Sequence, residues 1–291
     1  MIQRLLICTD LDRTLIPNGP QPESPLARNR FAEFAGHAEV SLAYVSGRHR
    51  TLVEQAMAEY SLPVPDFVVG DVGTTIYRVG PTQLWKFDDA WEHEISLDWG
   101  SNSHGDLAAC LADFPELQLQ EASKQNRCKL SYYVPVQANT AALSKSIMTR
   151  LKDGGATCRL IWSIDEQANR GLLDILPQRA SKLHAVEALI RSYDFDLSHT
   201  VFCGDSGNDI EVLASSVPSV LVANGSEEVR DQALREAAEA GQAERLYLAG
   251  GSFMGMNGNY AAGMLEGIAH FHPETIAWMH LPASPGTVHA S

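Results

Sequence analysis

The sequence predicts an α/β protein in which a core built on a parallel β-sheet carries an inserted, smaller α+β domain. Short and nearly continuous apolar runs end in polar residues or glycine and lead into segments with helical periodicity. This alternation is typical of a parallel sheet covered by helices on both faces. Between residues 84 and 175 the chain instead carries aromatic, acidic and alternating segments. A length of 291 residues also favours two domains over one.

Four apolar runs define the predicted core strands. The second run is followed by RHRTLVEQAMAEY, and the fourth by SEEVRDQALREAAEAGQ, and both of these segments favour helices. The four runs are RLLICTD (4–10), EVSLAYVSG (39–47), HTVFCGDSGND (199–209) and PSVLVANG (218–225). Because the strands are buried on both faces, they read as continuous apolar stretches and do not alternate.

The predicted insert has a different pattern. CKLSYYVPV (128–136) and TCRLIWSI (157–164) alternate like half-exposed antiparallel strands, and TAALSKSIMTRLKDGG between them reads as a helix. We therefore predict a core formed by residues 1–83 and 176–291, with a cap domain at 84–175. The last residues, LPASPGTVHAS (281–291), are expected to form a frayed tail.

The composition restricts the partners of the protein. A net charge of −14 argues against nucleic acid, whose recognition begins with a basic surface. An anionic substrate would be repelled at long range, so it would need a bound cation or a local positive site. The five cysteines include no CxxC pair, and no apolar run reaches 18 residues. A soluble, reduced, cytoplasmic protein without membrane partners is expected.

Polar residues follow three of the predicted core strands. They are Asp10 and Asp12 after the first strand, Ser46 and Gly47 after the second, and the segment DSGND (205–209) after the third. Each set has an ordinary explanation, because Asp, Ser, Gly and Asn favour strand-to-helix turns and helix N-caps. Together, however, they gather four carboxylates at the sheet edge where α/β proteins bind ligands. Mg²⁺, which prefers oxygen ligands, would relieve the repulsion.

Ser46 and Lys182 are candidates for phosphate binding. Ser46 closes a strand just before a helix, so its hydroxyl is expected to cap that helix, to bind phosphate beside the free N–H groups of the helix start, or both. Gly47 allows a ligand to approach the backbone closely. Five of the six lysines fall in the predicted insert, which leaves Lys182 as the lone core lysine. Its alternative is an ordinary solvated surface group, but we favour a cation that balances phosphate.

These residues resemble the four signatures of the haloacid dehalogenase-like (HAD) phosphohydrolases: DLDRTL, VSGR, Lys182 and GDSGND, in that order. The insert matches the α/β (type IIB) cap, and QNRCKLSYYV (125–134) and LLDILPQRASK (172–182) resemble sucrose-phosphate phosphatases. Mannosylfructose-phosphate phosphatases are similar as well. The chain departs from common family residues in having Arg13 in place of Gly or Asn, Ser46 in place of Thr, and Leu183 in place of Gly.

The resemblance implies a mechanism. Asp10 would be the nucleophile that forms an aspartyl-phosphate, and Asp12 the general acid and base. Mg²⁺ would bind the Asp10 side chain, the Asp12 carbonyl and Asp205, with Asp209 either a ligand or a support for one. The phosphoryl oxygens would be held by Ser46, Gly47, Lys182 and Asn208.

The cap is expected to select the sugar. Candidate sugar contacts are Gln125, Asn126, Lys129, Ser131, Tyr133 and Arg179. The alternative is that the strand simply carries polar residues on a solvated face. The tryptophans of the insert favour packing at the domain hinge over stacking on a sugar.

The predicted function is Mg²⁺-dependent hydrolysis of a disaccharide phosphate, most specifically sucrose 6-phosphate. Another sugar phosphate as substrate, such as mannosylfructose phosphate, and a phosphosugar mutase activity remain as alternatives. A non-catalytic partner of a sugar-phosphate synthase is disfavoured because every chemical group of the site is present, although association of the enzyme with such a synthase stays open. The sequence predicts neither the oligomeric state nor the role of the glycine-rich segment 249–264.

Overall fold

The computed structural model describes residues 4–165 and 168–281, so the predicted tail lies almost wholly outside the described residues. The strands of this part are β1 Leu5–Thr9, β2 Val40–Val45, β3 Phe67–Gly70, β4 Thr75–Val79, β5 Trp85–Phe87, β6 Gln118–Leu119, β7 Leu130–Val134, β8 Cys158–Asp165, β9 Arg170–Pro177, β10 Thr200–Gly204, β11 Ser219–Leu221 and β12 Leu246–Leu248. The helices are α1 Ala27–Ala35, α2 Arg50–Tyr60, α3 Asp89–Ser96, α4 His104–Cys110, α5 Thr140–Asp153, α6 Lys182–Ser192, α7 Ile210–Leu213, α8 Glu227–Glu239 and α9 Ala261–Phe271.

The larger sheet confirms the predicted α/β class. Its strand order is β12-β11-β10-β1-β2-β3-β4-β5, and the pairs from β12 to β3 are parallel. Every residue of β1, β2, β3, β10 and β11 is buried. These strands need apolar side chains on both faces, which explains why their sequences are continuous apolar runs.

The smaller sheet is antiparallel, with the order β6-β7-β9-β8. One face packs on α5 through Leu143, Ile147 and Leu151, which belong to the same apolar cluster as Leu130 and Ile175 of the sheet. This unit is the α+β insert expected from the alternating segments.

The domain limits at 84 and 175 stay a prediction; the first lies directly before β5, and the second lies within β9. β5 pairs with β4 in the larger sheet, and Trp91 of α3 packs in the core cluster and donates from Nε1 to the Gly73 carbonyl at 3.0 Å. At the other limit, β9 remains in the smaller sheet through Pro177. Residues 85–96 therefore pack with the core even though they lie inside the predicted insert.

The glycine-rich segment 249–264 includes the start of α9, whose residues Ala261–Ala269 are all buried. Gly267 permits close packing on β11, since a Cβ there would lie 2.3 Å from Val220. Across residues 4–165 and 168–281, none of the helices has both the length and the apolar character required to span a bilayer.

Candidate active site

The carboxyl ends of three adjacent strands bring the predicted site residues together. β1 lies between β10 and β2, and Thr9 is opposite Cys203 on one side and Tyr44 on the other. The next residue, Asp10, donates its N–H to the Cys203 carbonyl at 2.9 Å. Asp205 and Ser46 follow the neighbouring strands at the same edge of the sheet. This is the edge at which ligands bind in open α/β sheets.

Three carboxylates form a compact, buried cluster. Asp10, Asp205 and Asp209 each place an oxygen within 4.8 Å of the other two, and their residues are 5%, 3% and 0% exposed. Gly204 makes room for Asp209, since a Cβ at Gly204 would lie 2.6 Å from the Asp209 Cγ. Of the four carboxylates expected to converge, Asp10, Asp205 and Asp209 form the cluster and Asp12 is not part of it, while the roles of all four stay predictions.

Lys182 is the buried cation of this cluster. Its Nζ donates to Asp10 Oδ1 at 2.7 Å, to Asp209 Oδ1 at 2.7 Å and to Asn208 Oδ1 at 3.1 Å. The position is fixed by the start of α6, where the N-cap Ser181 accepts the His184 N–H. Burial alone would lower the pKa of Lys182, but the charges of Asp10 and Asp209 raise it above its ordinary value. Lys182 is therefore an ammonium ion, and the solvated-surface alternative is wrong.

The electrostatics of the cluster are unbalanced. Three carboxylates face one buried ammonium, which leaves an excess of two negative charges when all are ionised and before the partly exposed Arg13, 3.4 Å from Asp205, is counted. Burial raises the pKa of Asp10, with Lys182 acting against the increase and Asp209 adding to it. Burial and the charge of Asp209 likewise raise the pKa of Asp205 to about 6. The ionised state is therefore costly without a further cation.

The donor set fits a hard divalent cation held by oxygen. Asp209 has little coordinating capacity left, because its Oδ1 accepts from Lys182 and its Oδ2 accepts the N–H groups of Asp205 and Ser206 at 3.1 Å. Asp205 accepts only the Thr14 hydroxyl, at 3.2 Å, among the hydrogen bonds of the described residues. Asp10 and Asp205 would thus supply the side-chain ligands, while Asp209 would orient Lys182 and the turn.

Asp12 occupies a different environment from Asp10. Its carboxylate receives two hydrogen bonds from the Arg48 guanidinium, at 2.6 and 2.7 Å, and one from the Asn18 amide at 2.7 Å. Burial would raise the pKa of Asp12, but these hydrogen bonds and the Arg48 charge lower it below its ordinary value. In this conformation Asp12 is an ionised carboxylate fixed by Arg48.

Ser46 does not cap the following helix. α2 begins at Arg50 with His49 at the N-cap position, so the expectation of an N-cap at Ser46 was wrong. The buried Ser46 hydroxyl instead accepts the Arg48 N–H at 3.2 Å. A Cβ on the exposed Gly47 would meet only Val72, at 3.9 Å, so the space beside this backbone is open to a ligand.

Arg48 and Thr14 are site residues that the sequence reasoning did not single out. Arg48 lies within the quoted VSGR motif, but only the structure shows its bidentate contact with Asp12. Thr14 lies within DLDRTL, and the Thr14 hydroxyl contacts Asp205, 191 residues away. The sequence signal that could have identified Thr14 was the spacing DxDxT, because it places both Asp10 and Thr14 beside the end of the same strand.

Several predicted cap residues use their polar atoms within the protein. The Gln125 amide donates to the carbonyls of Gln120 and Ser131, and the Ser131 hydroxyl donates to Asp174. The Tyr133 hydroxyl donates to Glu121 at 2.8 Å. Ser131 is fully buried, so the solvated-face alternative is wrong at that position. Contacts of this group with a sugar stay a prediction.

Asn126 and Lys129 join the cap to the core. The Asn126 amide donates to the Thr74 hydroxyl at 2.9 Å. Lys129 Nζ lies 3.6 Å from Asp71 in the core and 3.8 Å from Asp174 in the cap, and the residue is only 8% exposed. Lys129 is therefore also buried and does not occupy a solvated face.

Arg179 is also held by a partner inside the protein. The Arg179 side-chain Nε and the Arg179 backbone N–H both donate to the carboxylate of Asp98, at 2.9 and 2.7 Å respectively. This ion pair bridges the end of the cap sheet and the segment after α3. A sugar contact by Arg179 would therefore have to share the guanidinium with Asp98, and that role stays a prediction.

The parallel sheet, the inserted cap, the acidic cluster and the buried lysine together define a HAD-like hydrolase. A family model for sucrose-6F-phosphate phosphohydrolase matches residues 3–272. The chain belongs to this sucrose-phosphatase family of phosphoric monoester hydrolases.

Individual relatives agree with this assignment. The chain is 53% identical to a putative HAD-like hydrolase of Nitrosococcus oceani, over 96% of this chain and 75% of the relative. It is 31% identical to sucrose-phosphatase 1 of Nicotiana tabacum, over 92% of this chain but only 59% of the relative, so the tobacco protein is considerably longer than the matched region. The sucrose-phosphatase of Synechocystis sp. PCC6803, solved with sucrose and phosphate, superposes with a TM-score of 0.70 at 29% identity, covering 93% of this chain and 98% of that chain.

Proposed function

We propose that the protein hydrolyses a disaccharide phosphate, most specifically sucrose 6-phosphate, in a Mg²⁺-dependent reaction. The observation that carries the proposal is the buried cluster of Asp10, Asp205 and Asp209, in which three carboxylates face the single buried ammonium of Lys182. Such a site is suited to a divalent cation and a phosphoryl group, and not to a neutral ligand. The likeness to the Synechocystis enzyme, whose structure holds sucrose and phosphate, supports the choice of substrate.

In the first step, an Asp10 carboxylate oxygen attacks phosphorus and the bond between phosphorus and the sugar oxygen breaks. Asp12 donates the proton that the leaving sugar oxygen needs, since an alkoxide is a poor leaving group. Water then attacks the aspartyl-phosphate, Asp12 accepts its proton, and the Asp10 carboxylate is restored as phosphate leaves. A bound Mg²⁺ would supply positive charge to the transferring phosphoryl oxygens.

Lys182 favours this attack in two ways. Its ammonium opposes protonation of Asp10 and orients that carboxylate at 2.7 Å, and its charge is proposed to stabilise the negative charge that collects on the phosphoryl oxygens. Ser46, Gly47 and Asn208 surround the same strand ends and are proposed to donate hydrogen bonds to those oxygens.

Asp12 must change partners before it can transfer a proton. As described, its carboxylate is ionised and bound by Arg48. We propose that the sugar phosphate draws the guanidinium away, after which burial favours the protonated form of Asp12. Arg48 would thus link substrate binding to the readiness of the acid.

The test is phosphate release from a panel of sugar phosphates, with Mg²⁺ and with EDTA. The panel includes sucrose 6-phosphate, mannosylfructose phosphate and monosaccharide phosphates. We expect Mg²⁺-dependent release that is fastest with sucrose 6-phosphate and is lost in Asp10→Asn. Phosphate that reappears on another sugar carbon would indicate a mutase, and the absence of any release from every substrate would refute the proposal.

A further inference from the structure

Arg13 is held in an unfavourable backbone conformation beside the acidic cluster. It lies between Asp12 and Thr14 with a φ of 60°, in the left-handed region that glycine and asparagine adopt most easily. A residue with a Cβ, such as arginine, has a higher free energy in this conformation, so the surrounding structure must hold it there.

Asn224 holds Arg13 on two sides. The Asn224 amide donates to the Arg13 carbonyl at 2.6 Å, and the Asn224 carbonyl accepts from the Arg13 guanidinium at 3.3 Å. Asn224 is itself 3% exposed, and its side-chain oxygen accepts the Tyr260 N–H at 2.7 Å. Tyr260 lies in the glycine-rich segment 249–264, directly before α9, and also has a positive φ, of 52°. One effect of that segment is therefore to fix the position of Arg13.

The fixed guanidinium faces Asp205. Arg13 Nε lies 3.4 Å from Asp205 Oδ2, and this buried nitrogen has no hydrogen-bond partner in the described part of the chain. Close packing preserves this arrangement, since a Cβ on Gly19 would lie 3.4 Å from Arg13 Nε and 2.7 Å from the Tyr260 hydroxyl. The contact is an ion pair without a well-formed hydrogen bond, and the Arg13 side chain as a whole is 43% exposed.

The geometry points to Arg13 as a resident cation that competes with the metal for Asp205. This inference rests on the proposed Mg²⁺ dependence. With Arg13 in place, the excess of two negative charges at the carboxylate cluster falls to one, which lowers the attraction for a divalent cation. A cation bound to Asp205 would also lie near the guanidinium and be repelled by it.

The test is isothermal titration of the full chain, in the absence of substrate, with MgCl₂ alone. Two neutral variants remove the charge in different ways: Arg13→Asn suits the positive φ, and Arg13→Gln keeps much of the side-chain length. Arg13→Lys keeps the charge and is the matched control. We expect both neutral variants to bind Mg²⁺ about fivefold more tightly than the wild type. A change of this size in affinity matches the free energy that a partly exposed ion pair contributes. The lysine variant should stay within about twofold of the wild type.

The second readout is thermal stability, which, like the titration, does not depend on catalysis. Addition of MgCl₂ should raise the melting temperature more for Arg13→Asn and Arg13→Gln than for the wild type, because tighter binding stabilises the folded state further. Unchanged or weaker Mg²⁺ binding by both folded neutral variants would overturn the role of Arg13. If the proposed metal site itself were wrong, the result would differ: the wild type and Asp205→Asn would bind Mg²⁺ with the same affinity in the titration.

Discussion

Replacement of Lys182 by methionine tests the electrostatic account of the site most severely. The Lys182 side chain is 2% exposed and contacts Asp10 and Asp209 at 2.7 Å each. Removing one partner of a buried ion pair typically costs about 3–5 kcal/mol, because an uncompensated charge stays buried. We therefore expect Lys182→Met to lose about 3–5 kcal/mol of unfolding free energy in EDTA. At about 2–4 °C for each kcal/mol, the melting temperature would fall by about 10 °C.

The assay is urea denaturation and thermal melting, each performed in EDTA and in excess MgCl₂. Lys145→Met is the matched control, because it removes the same charge from an exposed position on α5. Mg²⁺ should restore more stability to Lys182→Met than to the control, since the variant site has three carboxylates and no ammonium. If the two variants were equally stable in EDTA, the reasoning would be refuted.

Three further predictions concern pH, the Arg48 contact and packing. The folded-state pKa of Asp205 is raised from 3.8 to about 6, so its contribution to stability is fully present below pH 3.8 and is lost as the pH rises through about 6. EDTA-treated protein should thus lose stability between about pH 4 and 7 by melting, and Asp205→Asn should lose less. Arg48→Met removes the hydrogen bonds that lower the pKa of Asp12, so the limb of the pH–kcat/KM profile that reports Asp12 should move to higher pH, with Arg48→Lys shifted less. Gly204→Ala places a Cβ about 2.6 Å from the Asp209 Cγ and should cost about 1–3 kcal/mol by urea denaturation; an unchanged midpoint would contradict the packing argument.

The core was predictable from sequence because its strands are buried on both faces. That environment requires unbroken apolar runs, and the polar residues after the runs mark the ligand-binding edge. Asp10 and Asp205 were therefore expected to meet, although 195 positions separate them in the chain. β5 was harder to place, because a three-residue edge strand such as Trp85–Phe87 carries too short a pattern to show which sheet it joins.

The contacts of individual side chains could not be predicted in the same way. The pairing of Asp12 with Arg48 depends on side-chain conformations that no periodicity records. In the cap, the pattern around Ser131 favoured a sugar contact and left a solvated face as the alternative, but the hydroxyl is buried against Asp174. A polar residue that is satisfied internally has the same sequence signature as one that binds a ligand.

The most direct test of the central claim is to find where the phosphoryl group resides during turnover. Enzyme mixed with Mg²⁺ and sucrose 6-phosphate carrying a labelled phosphoryl group would be quenched in acid, digested and mapped by mass spectrometry. The account predicts label on the peptide that contains Asp10, and none in Asp10→Asn. Label on another residue, or turnover by the wild type with no labelled peptide at any quench time, would contradict it.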